Sequence, residues 1–336
     1  MLLDAVGAIG LLVSVASVKT LFTKEIFDWC TTPIAYSLLS AFETAVLLLP
    51  FAVTESRQRC LPQPGMMLRL ALVCIAIAAD FALSNEAIYR LPLALQQAIA
   101  STIPAATIVL ETIVRWQCKG VLEYVAIAVL CLGAVLAHIG TGVTIGRSSN
   151  PEELQHSFYW GEVAMVTAVL SAAAKYVFAK SLLTAYREEL GACLLLLWIE
   201  AFLCAFLLPW SLLTHQLQSM VTFGYGPWQW ASLVGAGAMG GFRFFCELAV
   251  LRYWSATTLS AANLSAHSFI IVISIPLFGT PVTPFLIAGV LLTLGASAFY
   301  AYLLLVNKHE AAQSPRHPAK TLGLKTDGGG GEVVLM

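Results

Sequence analysis

The chain alternates long apolar stretches with short polar connections. A membrane-spanning helix needs about 20 mostly apolar residues, and this length divides the 336 residues into ten segments. They run near residues 2–20, 34–53, 67–87, 92–114, 121–143, 158–180, 190–212, 228–251, 253–276 and 284–306. The connections are rich in polar and turn residues, as in TESRQRCLPQPG after the second segment. The pattern predicts an all-α polytopic membrane protein with ten transmembrane helices.

Composition supports the same class. Apolar residues make up 59% of the chain and charged residues 11%, with a formal net charge of -1, whereas soluble proteins carry about 45–50% and about 25%. The near-neutral balance argues against a nucleic-acid partner. The eight cysteines form no CxxC motif and no Cys/His cluster, so we expect no metal site. Phosphate-loop, GxSxG and HExxH motifs are absent, and we expect neither a cofactor nor enzyme activity.

The two halves of the chain share a weak internal repeat. The matching residues are Leu95 with Leu259, Ala98 with Ala262, Ser101 with Ser265, and Leu132-Gly133-Ala134 with Leu294-Gly295-Ala296. Because five is an odd number of helices, a second copy must cross the membrane upside down. Inverted repeats are typical of secondary transporters, whose substrate site lies at the repeat interface. We expect a first five-helix repeat over 1–146, a linker loop over 147–157, a second five-helix repeat over 158–306 and a disordered cytosolic tail over 307–336.

Orientation and helix packing can also be predicted. Twelve Lys and Arg residues fall in connections on the side of the two termini and four on the opposite side, which places both termini in the cytosol. The first apolar stretch lacks a basic region before it and carries Asp4, so we do not expect it to be a cleaved signal. The glycines of VGAGAMGG predict close helix packing, and Pro104 and Pro276 predict bends in the fourth and ninth spans.

Charged residues within the spans are the first group of candidate functional residues, because each costs about 3 kcal/mol at mid-depth on insertion scales. Asp80, Glu200 and Glu247 are candidates for a proton or charge relay. Arg243 and Glu247 are four residues apart and can pair on one helical face. Lys175 has no acid three or four residues away, so its partner lies on another helix or in the substrate. Other charged residues fall nearer the span ends, namely Lys19, Glu111 and Glu162.

Uncharged polar residues form the second group. Ser260, Asn263 and His267 share one stripe of the ninth span, and Gln97 and Ser101 share a face of the fourth. Polar stripes on membrane helices commonly hydrogen-bond neighbouring helices. Here both stripes fall on corresponding helices of the repeat, which favours contact with a substrate between the halves. His267 is also a candidate proton carrier.

Two stretches resemble a known family. The first is Ser84-Asn85-Glu86-Ala87-Ile88-Tyr89-Arg90-Leu91-Pro92-Leu93-Ala94-Leu95-Gln96-Gln97-Ala98-Ile99, which runs on to Pro104. It is similar to the third-to-fourth-helix signature of the triose-phosphate and nucleotide-sugar transporters in the drug/metabolite transporter superfamily. The second comprises Ser255 through Asn263 and Phe278-Gly279-Thr280-Pro281-Val282-Thr283-Pro284. The likeness covers about residues 10 to 306.

The resemblance implies a secondary transporter that exchanges a sugar phosphate or a nucleotide sugar across an endomembrane, in the Golgi or the endoplasmic reticulum. The mechanism it implies is alternating access. Lys175, with Arg243 if Glu247 leaves it free, would hold the anionic part of the solute. The remaining polar parts would be bound by Gln97, Ser101, Asn263 and His267.

The sequence departs from the family pattern at the cationic positions. Ala100 stands where sugar-phosphate transporters carry a lysine, and their Lys-Arg pair falls on Ala266 and His267. Lys175 occupies the place of an arginine. These departures put simple triose-phosphate exchange in doubt and leave the implied fold unaffected.

Two other functions stay open at this stage. One is a carrier of a neutral or cationic metabolite, coupled to protons, because acids outnumber bases within the spans. The other is a multispan scaffold or receptor that transports nothing. The expected partners are a small polar, phosphorylated solute and membrane lipids, and a homodimer is one arrangement that the sequence allows.

Overall fold

The structure is a computed structural model that describes residues 2–55, 64–115, 120–145, 151–185, 192–253, 256–279 and 282–313. These ranges form twelve α-helices and contain no strand. The helices are α1 (Leu2–Phe27), α2 (Pro33–Glu55), α3 (Pro64–Arg90), α4 (Leu93–Ala100), α5 (Ile103–Arg115), α6 (Val121–Ile145), α7 (Pro151–Ala185), α8 (Ala192–Leu213), α9 (Gln216–Thr222), α10 (Pro227–Tyr253), α11 (Ala256–Leu277) and α12 (Pro284–Gln313).

Many of these helices are long and apolar enough to cross a membrane. Within the described residues, seven segments meet that requirement: Pro33–Ala52, Gly65–Arg90, Leu93–Val114, Val121–Gly140, His156–Thr184, Cys193–Leu213 and Pro227–Leu251. Two shorter apolar stretches lie in the last two helices, at Ala262–Leu277 and Pro284–Tyr300. The prediction of an all-α polytopic membrane protein is confirmed at this level, and the count of ten spans in an inverted repeat stays a prediction.

The predicted bend in the fourth span is present as a break between α4 and α5. Pro104 has no N–H to offer to the carbonyl of Ala100, so the regular helical bond cannot form there. At the break, the Ser101 hydroxyl donates to the Gln97 carbonyl oxygen at 2.9 Å, and the Thr102 hydroxyl donates to that of Ile99 at 2.7 Å. The break therefore gives the two halves of this span separate helical ends.

Two segments predicted to be non-helical are partly helical. Within the linker 147–157, α7 begins at Pro151, because a proline at the first helical position loses no hydrogen bond and the two glutamates that follow suit the first turn. Within the tail 307–336, α12 continues to Gln313, since residues 307–313 contain neither Gly nor Pro. Residues 147–150 and 314–336 lie outside the described residues.

The N-terminal and C-terminal helices pack extensively against one another. The main pairs include α3 with α7, α2 with α8, α2 with α10, α1 with α10, α4 with α11 and α6 with α12. Glycines allow the closest approaches. A Cβ built on Gly289 of α12 would lie only 3.0 Å from Cα of Ala137 on α6, and one on Gly241 of α10 only 2.9 Å from Cβ of Thr44 on α2. The glycines of VGAGAMGG thus include one at a helix crossing, as predicted.

The outer surface of the bundle is apolar. Large side chains such as Leu68, Leu72 and Ile75 on α3 are at least half exposed. On a soluble protein a contiguous surface of this kind would be unfavourable, whereas lipid acyl chains cover it without cost. The polar side chains are concentrated inside.

Candidate functional site

A polar cavity lies between the N-terminal and C-terminal helices. It contains about 950 Å³ of unfilled space, its open mouth included. Three cations and three carboxylates line it, namely Lys19, Lys175, Arg243, Asp80, Glu200 and Glu247. Uncharged polar side chains complete much of the wall, among them Ser37, Ser40, Ser84, Asn85, Gln96, Gln97 and His267.

Lys175 on α7 is the centre of a buried ion-pair cluster. Its Nζ donates to Oδ2 of Asp80 on α3 at 2.6 Å and to Oε2 of Glu247 on α10 at 3.5 Å. None of the three residues is more than 7% exposed. The partners come from other helices, as the lack of an acid within one turn of Lys175 predicted. The ion-pair cluster links helices from the N-terminal and C-terminal halves of the chain.

Aromatic rings surround the same ammonium group. Nζ of Lys175 lies 4.7 Å from the ring centroid of Tyr176, 5.4 Å from that of Phe81 and 5.9 Å from that of Phe244. Rings at this distance attract a cation through their electron-rich faces. They also exclude water, which strengthens the pairing of Lys175 with its carboxylates.

Glu247 is shared by three helices. It accepts a hydrogen bond at Oε1 from Nε of Arg243, its neighbour one turn earlier, at 3.1 Å. The Asn263 amide on α11 donates to the same oxygen at 3.4 Å and to the Tyr176 hydroxyl at 2.7 Å. The local Arg243–Glu247 pair expected from their spacing is therefore present. Asn263 is 1% exposed and lies behind the cavity wall, where it positions Tyr176 and Glu247.

A chain of hydrogen bonds joins α11, α4 and α7. His267 and Gln97 are joined by a bond of 2.6 Å between Nδ1 and Oε1. The Gln97 amide then donates to Oε1 of Gln96, and the Gln96 amide to Sδ of Met165 at 3.2 Å. Because Gln97 Oε1 can only accept, Nδ1 of His267 carries the proton. In the neutral ring Nε2 is then an acceptor, and it has no partner among the described residues.

A comparison of the whole chain with known families agrees with this architecture. Residues 9–301 match the sequence model of the Triose-phosphate Transporter family. The chain belongs to that family. The resemblance seen in the stretch from Ser84 to Pro104 is thereby confirmed. The chain thus belongs to a family of transporters and not to a family of enzymes.

Two similar proteins come from Arabidopsis thaliana. A probable sugar phosphate/phosphate translocator is 26% identical over 257 residues, which cover 75% of this chain and 66% of that protein, just under two thirds of its length. UDP-uronic acid transporter 1 is 25% identical over 271 residues, which cover 79% of this chain and 81% of that protein. A solved crystal structure aligns with a TM-score of 0.57 at 15% identity, covering 90% of this chain and 98% of that chain, which shows a shared fold.

Two of the departures from the Triose-phosphate Transporter pattern lie in the cavity wall. Ala100, which stands where sugar-phosphate transporters carry a lysine, lines the cavity, and so does His267, which stands in place of a basic residue. The positions therefore face the expected space and supply no fixed charge there. Any anion in this cavity must be bound by cations located elsewhere.

Two of the predicted site residues, Ser101 and Glu200, are placed differently with respect to the cavity. Ser101 is fully buried outside the cavity wall, and its hydroxyl donates to the Gln97 carbonyl of its own helix. Glu200 on α8 does line the cavity, is 2% exposed and has one carboxyl oxygen, Oε2, without a hydrogen-bond partner among the described residues. The structure thus brings together Lys175, Arg243, Asp80, Glu247, Asn263, Gln97, His267 and Glu200, and it leaves Ser101 behind them.

Lys19 is the charged cavity residue that the sequence analysis did not select as a candidate for binding. It lies on α1, and its Nζ is 5.8 Å from the ring centroid of Tyr36. Within the described part of the chain, its Nζ has no hydrogen bond and no ion pair. The hydropathy pattern placed Lys19 near a span end, although the helix runs on to Phe27. Its five-residue spacing to Lys24, which matches that of Lys175 to Lys180, is the signal that could have identified it.

Proposed function

We propose that this member of the Triose-phosphate Transporter family is a secondary transporter that exchanges a sugar phosphate or a nucleotide sugar across an endomembrane. The observation that carries the proposal is the cavity, which is lined by three cations and many hydrogen-bonding side chains inside an apolar exterior. The names of the two Arabidopsis relatives refer to phosphorylated sugars and to a nucleotide-linked sugar acid, which supports the same class of solute.

An inverted repeat of five plus five spans is the arrangement we propose for the fold. In this arrangement α1, α2, α3, α4 with α5, and α6 correspond in order to α7, α8, α10, α11 and α12. If the halves are exchanged, the contact of α3 with α7 becomes the contact of α10 with α1. In the same way, the contact of α5 with α7 becomes the contact of α11 with α1. All four of these contacts occur. The pairs α2 with α8, α4 with α11 and α6 with α12 map onto themselves. A twofold relation between repeats produces this pattern.

The mechanism we propose is alternating access around this cavity. The solute's anion competes with Asp80 and Glu247 for the cations, which loosens an ion-pair cluster that holds helices of both halves together. Gln97 and His267 bind hydroxyl or amide groups of the solute, with Nε2 of His267 as a vacant acceptor. Asn263 holds Tyr176 and Glu247 in place, and Ser101 supports the helix end beside them. The halves rock about the occupied cavity and open it to one side at a time.

A second candidate is a proton-coupled carrier of a neutral or cationic metabolite. The observation that favours it is the pairing of both Lys175 and Arg243 with carboxylates, which reduces the positive charge offered to a solute. Asp80 and Glu247 would then act as a charge relay through Lys175, and Glu200 would take up a proton on its unpartnered oxygen. A scaffold without transport is the third hypothesis, and it makes no use of the cavity.

We further propose that both termini face the cytosol and that the organelle is the Golgi or the endoplasmic reticulum. The distribution of basic residues supports the orientation, and the exposed apolar surface supports contact with lipid. A homodimer is compatible with this arrangement. Tagging the C-terminus and testing its accessibility in cells permeabilised only at the plasma membrane checks the orientation.

Exchange in proteoliposomes tests the proposed solute class. The purified full chain is reconstituted, preloaded with one compound and supplied with a labelled second compound from a panel of nucleotide sugars, sugar phosphates and amines. We expect exchange of at least one nucleotide sugar or sugar phosphate and none of the amines. Uptake of an amine driven by a pH gradient, without any anion exchange, would favour the second candidate. A panel without any uptake above protein-free liposomes would refute both transport proposals.

A further inference from the structure

Two helices carry lysines with the same spacing and the same outer contact. Lys19 and Lys24 are five residues apart on α1, and Lys175 and Lys180 are five apart on α7. Nζ of Lys24 donates to the Ile88 carbonyl, in the last turn of α3, at 2.7 Å. Nζ of Lys180 donates to the Leu251 carbonyl, in the last turn of α10, at 2.9 Å. The outer lysine of each pair therefore caps the end of the corresponding helix in its own half.

These caps fix which residues of α3 and α10 correspond. Eight residues before Ile88 lies Asp80, and eight residues before Leu251 lies Arg243. A phenylalanine follows each of them directly, and the rings of Phe81 and Phe244 meet edge to face with centroids 5.5 Å apart. Two equivalent side chains that touch in this way lie close to the axis that relates the halves. The alignment of Asp80 with Arg243 is thus supported by the equal spacings in the sequence and by the contact between Phe81 and Phe244.

The equivalent inner positions carry opposite charges. On one side Lys175 of α7 pairs with Asp80 of α3, against which α7 packs. On the other side α1 packs against α10, and the residue equivalent to Asp80 is Arg243. The aspartate that pairs with Lys175 is therefore replaced, at the equivalent position beside Lys19, by a second cation.

The geometry keeps these two cations together in the cavity. A Cβ built on Gly240 would lie 3.7 Å from Cε of Lys19, and Gly240 is one turn before Arg243 on the same face of α10. Both cations line the cavity. Arg243 uses Nε for Glu247, and within the described residues its terminal nitrogens have no hydrogen bond. An unpaired lysine and the free end of a guanidinium group thus face the same space.

We propose that Lys19 and Arg243 form the subsite that binds the phosphate group of the transported solute. The bound phosphate gives Lys19 the anionic neighbour that Asp80 gives Lys175. A guanidinium fork beside an ammonium group is a strong combination for phosphate oxygens. The inference rests on the proposed transport function and deepens it, because it assigns the anion to residues outside the positions where the family pattern has its cations.

Binding of inorganic phosphate to the purified full chain in detergent tests the subsite. Binding is followed as the phosphate-dependent rise in Tm, from which a Kd is obtained. Because each variant removes a charged hydrogen-bond donor, we expect Lys19→Met and Arg243→Gln each to raise this Kd about 10-fold to 100-fold. Lys19→Arg keeps most of the affinity. Arg69→Gln, which removes an exposed cation of α3 outside the cavity, is the matched control and leaves the Kd unchanged.

A charge replacement makes the test sharper. Arg243→Asp builds the equivalent of the Lys175–Asp80 pair into this subsite, so we expect a folded chain that no longer responds to phosphate. If this variant does not fold, Lys19→Met decides the matter. A wild-type Tm that phosphate does not raise, or a Kd unchanged in Lys19→Met, overturns the subsite.

Transport separates the two proposals. Failure of the proposed function appears as a wild-type chain that exchanges no sugar phosphate or nucleotide sugar. Failure of the subsite appears as wild-type exchange of such a solute with the same KM in Lys19→Met.

Discussion

Nζ of Lys175 lies 2.6 Å from Oδ2 of Asp80, although 95 residues separate them along the chain. The pair joins α7 to α3, and Glu247 extends it to α10. All three groups are buried, so each depends on its partners to offset the free energy lost when its charge leaves bulk water. The cluster therefore contributes to the packing of the helices as well as to the charge of the cavity.

Removal of one member of this cluster should destabilise the protein strongly. Asp80→Asn leaves Lys175 with one distant carboxylate, and Lys175→Met leaves two buried carboxylates without their shared cation. Breaking a buried ion pair costs about 3–5 kcal/mol. We expect a marked fall in Tm for both single variants in detergent, measured by the fluorescence of the eight tryptophans. The double variant Asp80→Asn/Lys175→Met should recover part of the loss.

Lys19→Met is the matched control for this stability prediction. It removes a cavity cation that has no ion pair among the described residues and that lies beside Arg243. We expect its Tm in the absence of phosphate to equal or exceed that of the wild type. A fall as large as that of Lys175→Met would show that Lys19 has a structural partner and would contradict the description of the cavity.

Lys24 and Lys180 should respond alike to substitution, because each caps the end of a corresponding helix. Removing a charged donor from carbonyl oxygens costs about 1.5–3 kcal/mol. We expect Lys24→Met and Lys180→Met to lower Tm by similar amounts and Lys24→Arg and Lys180→Arg to lower it less. A large effect from one lysine and none from the other would contradict the equivalence of α1 and α7.

Helix positions could be predicted well from the sequence because the bilayer imposes a length and an apolar composition on each span. The break near Pro104 was predictable for the same kind of local reason, since proline cannot donate the helical hydrogen bond. The extra turns at Pro151 and up to Gln313 were not, because a helix can continue through polar residues beyond the apolar stretch. The short helix α9 was missed because it is too short to leave a periodic pattern.

The candidate site could be predicted only in part. Lys175, Arg243 and Glu247 stood out because a charge inside an apolar run is costly wherever its partner lies. The choice of Asp80 as that partner could not be made, since it depends on how α3 packs against α7. Lys19 was missed because hydropathy gives the depth of a residue and not the direction of its side chain. Lys19 precedes Lys24 by five residues, as Lys175 precedes Lys180. The equivalence of the two pairs became evident only from the contacts of Lys24 and Lys180 with helix ends in the structure.

The crossing of α6 and α12 offers a clean test of packing. A Cβ on Gly289 would lie 3.0 Å from Cα of Ala137, and backbone cannot move aside as a flexible side chain can. Overpacking of this kind costs about 1–3 kcal/mol, so we expect Gly289→Ala to lower Tm. Gly295→Ala in the same helix meets nothing within 4 Å and should leave Tm unchanged or raise it. Equal Tm values for the two variants would show that this close approach does not limit the stability of the bundle.

His267 should contact the solute through Nε2 and the protein through Nδ1. His267→Asn separates the two roles, because the asparagine amide nitrogen is as many bonds from Cα as Nδ1 and can still donate to Gln97. We expect KM for the transported solute to rise about tenfold, the equivalent of one lost hydrogen bond, with little change in Tm. Gln97→Ala, which breaks the hydrogen-bond chain, should raise KM and lower Tm together.

Ser101→Ala is the control for this prediction, measured in the same proteoliposome exchange assay. The Ser101 hydroxyl donates within its own helix and lies outside the cavity wall, so we expect KM to stay within about twofold of the wild type, since a shift that small is under 0.5 kcal/mol. If His267→Asn also leaves KM unchanged while its Tm is preserved, Nε2 does not bind the solute. The wall formed by α4 and α11 would then be structural, and recognition would fall to the charged residues of α1, α7 and α10.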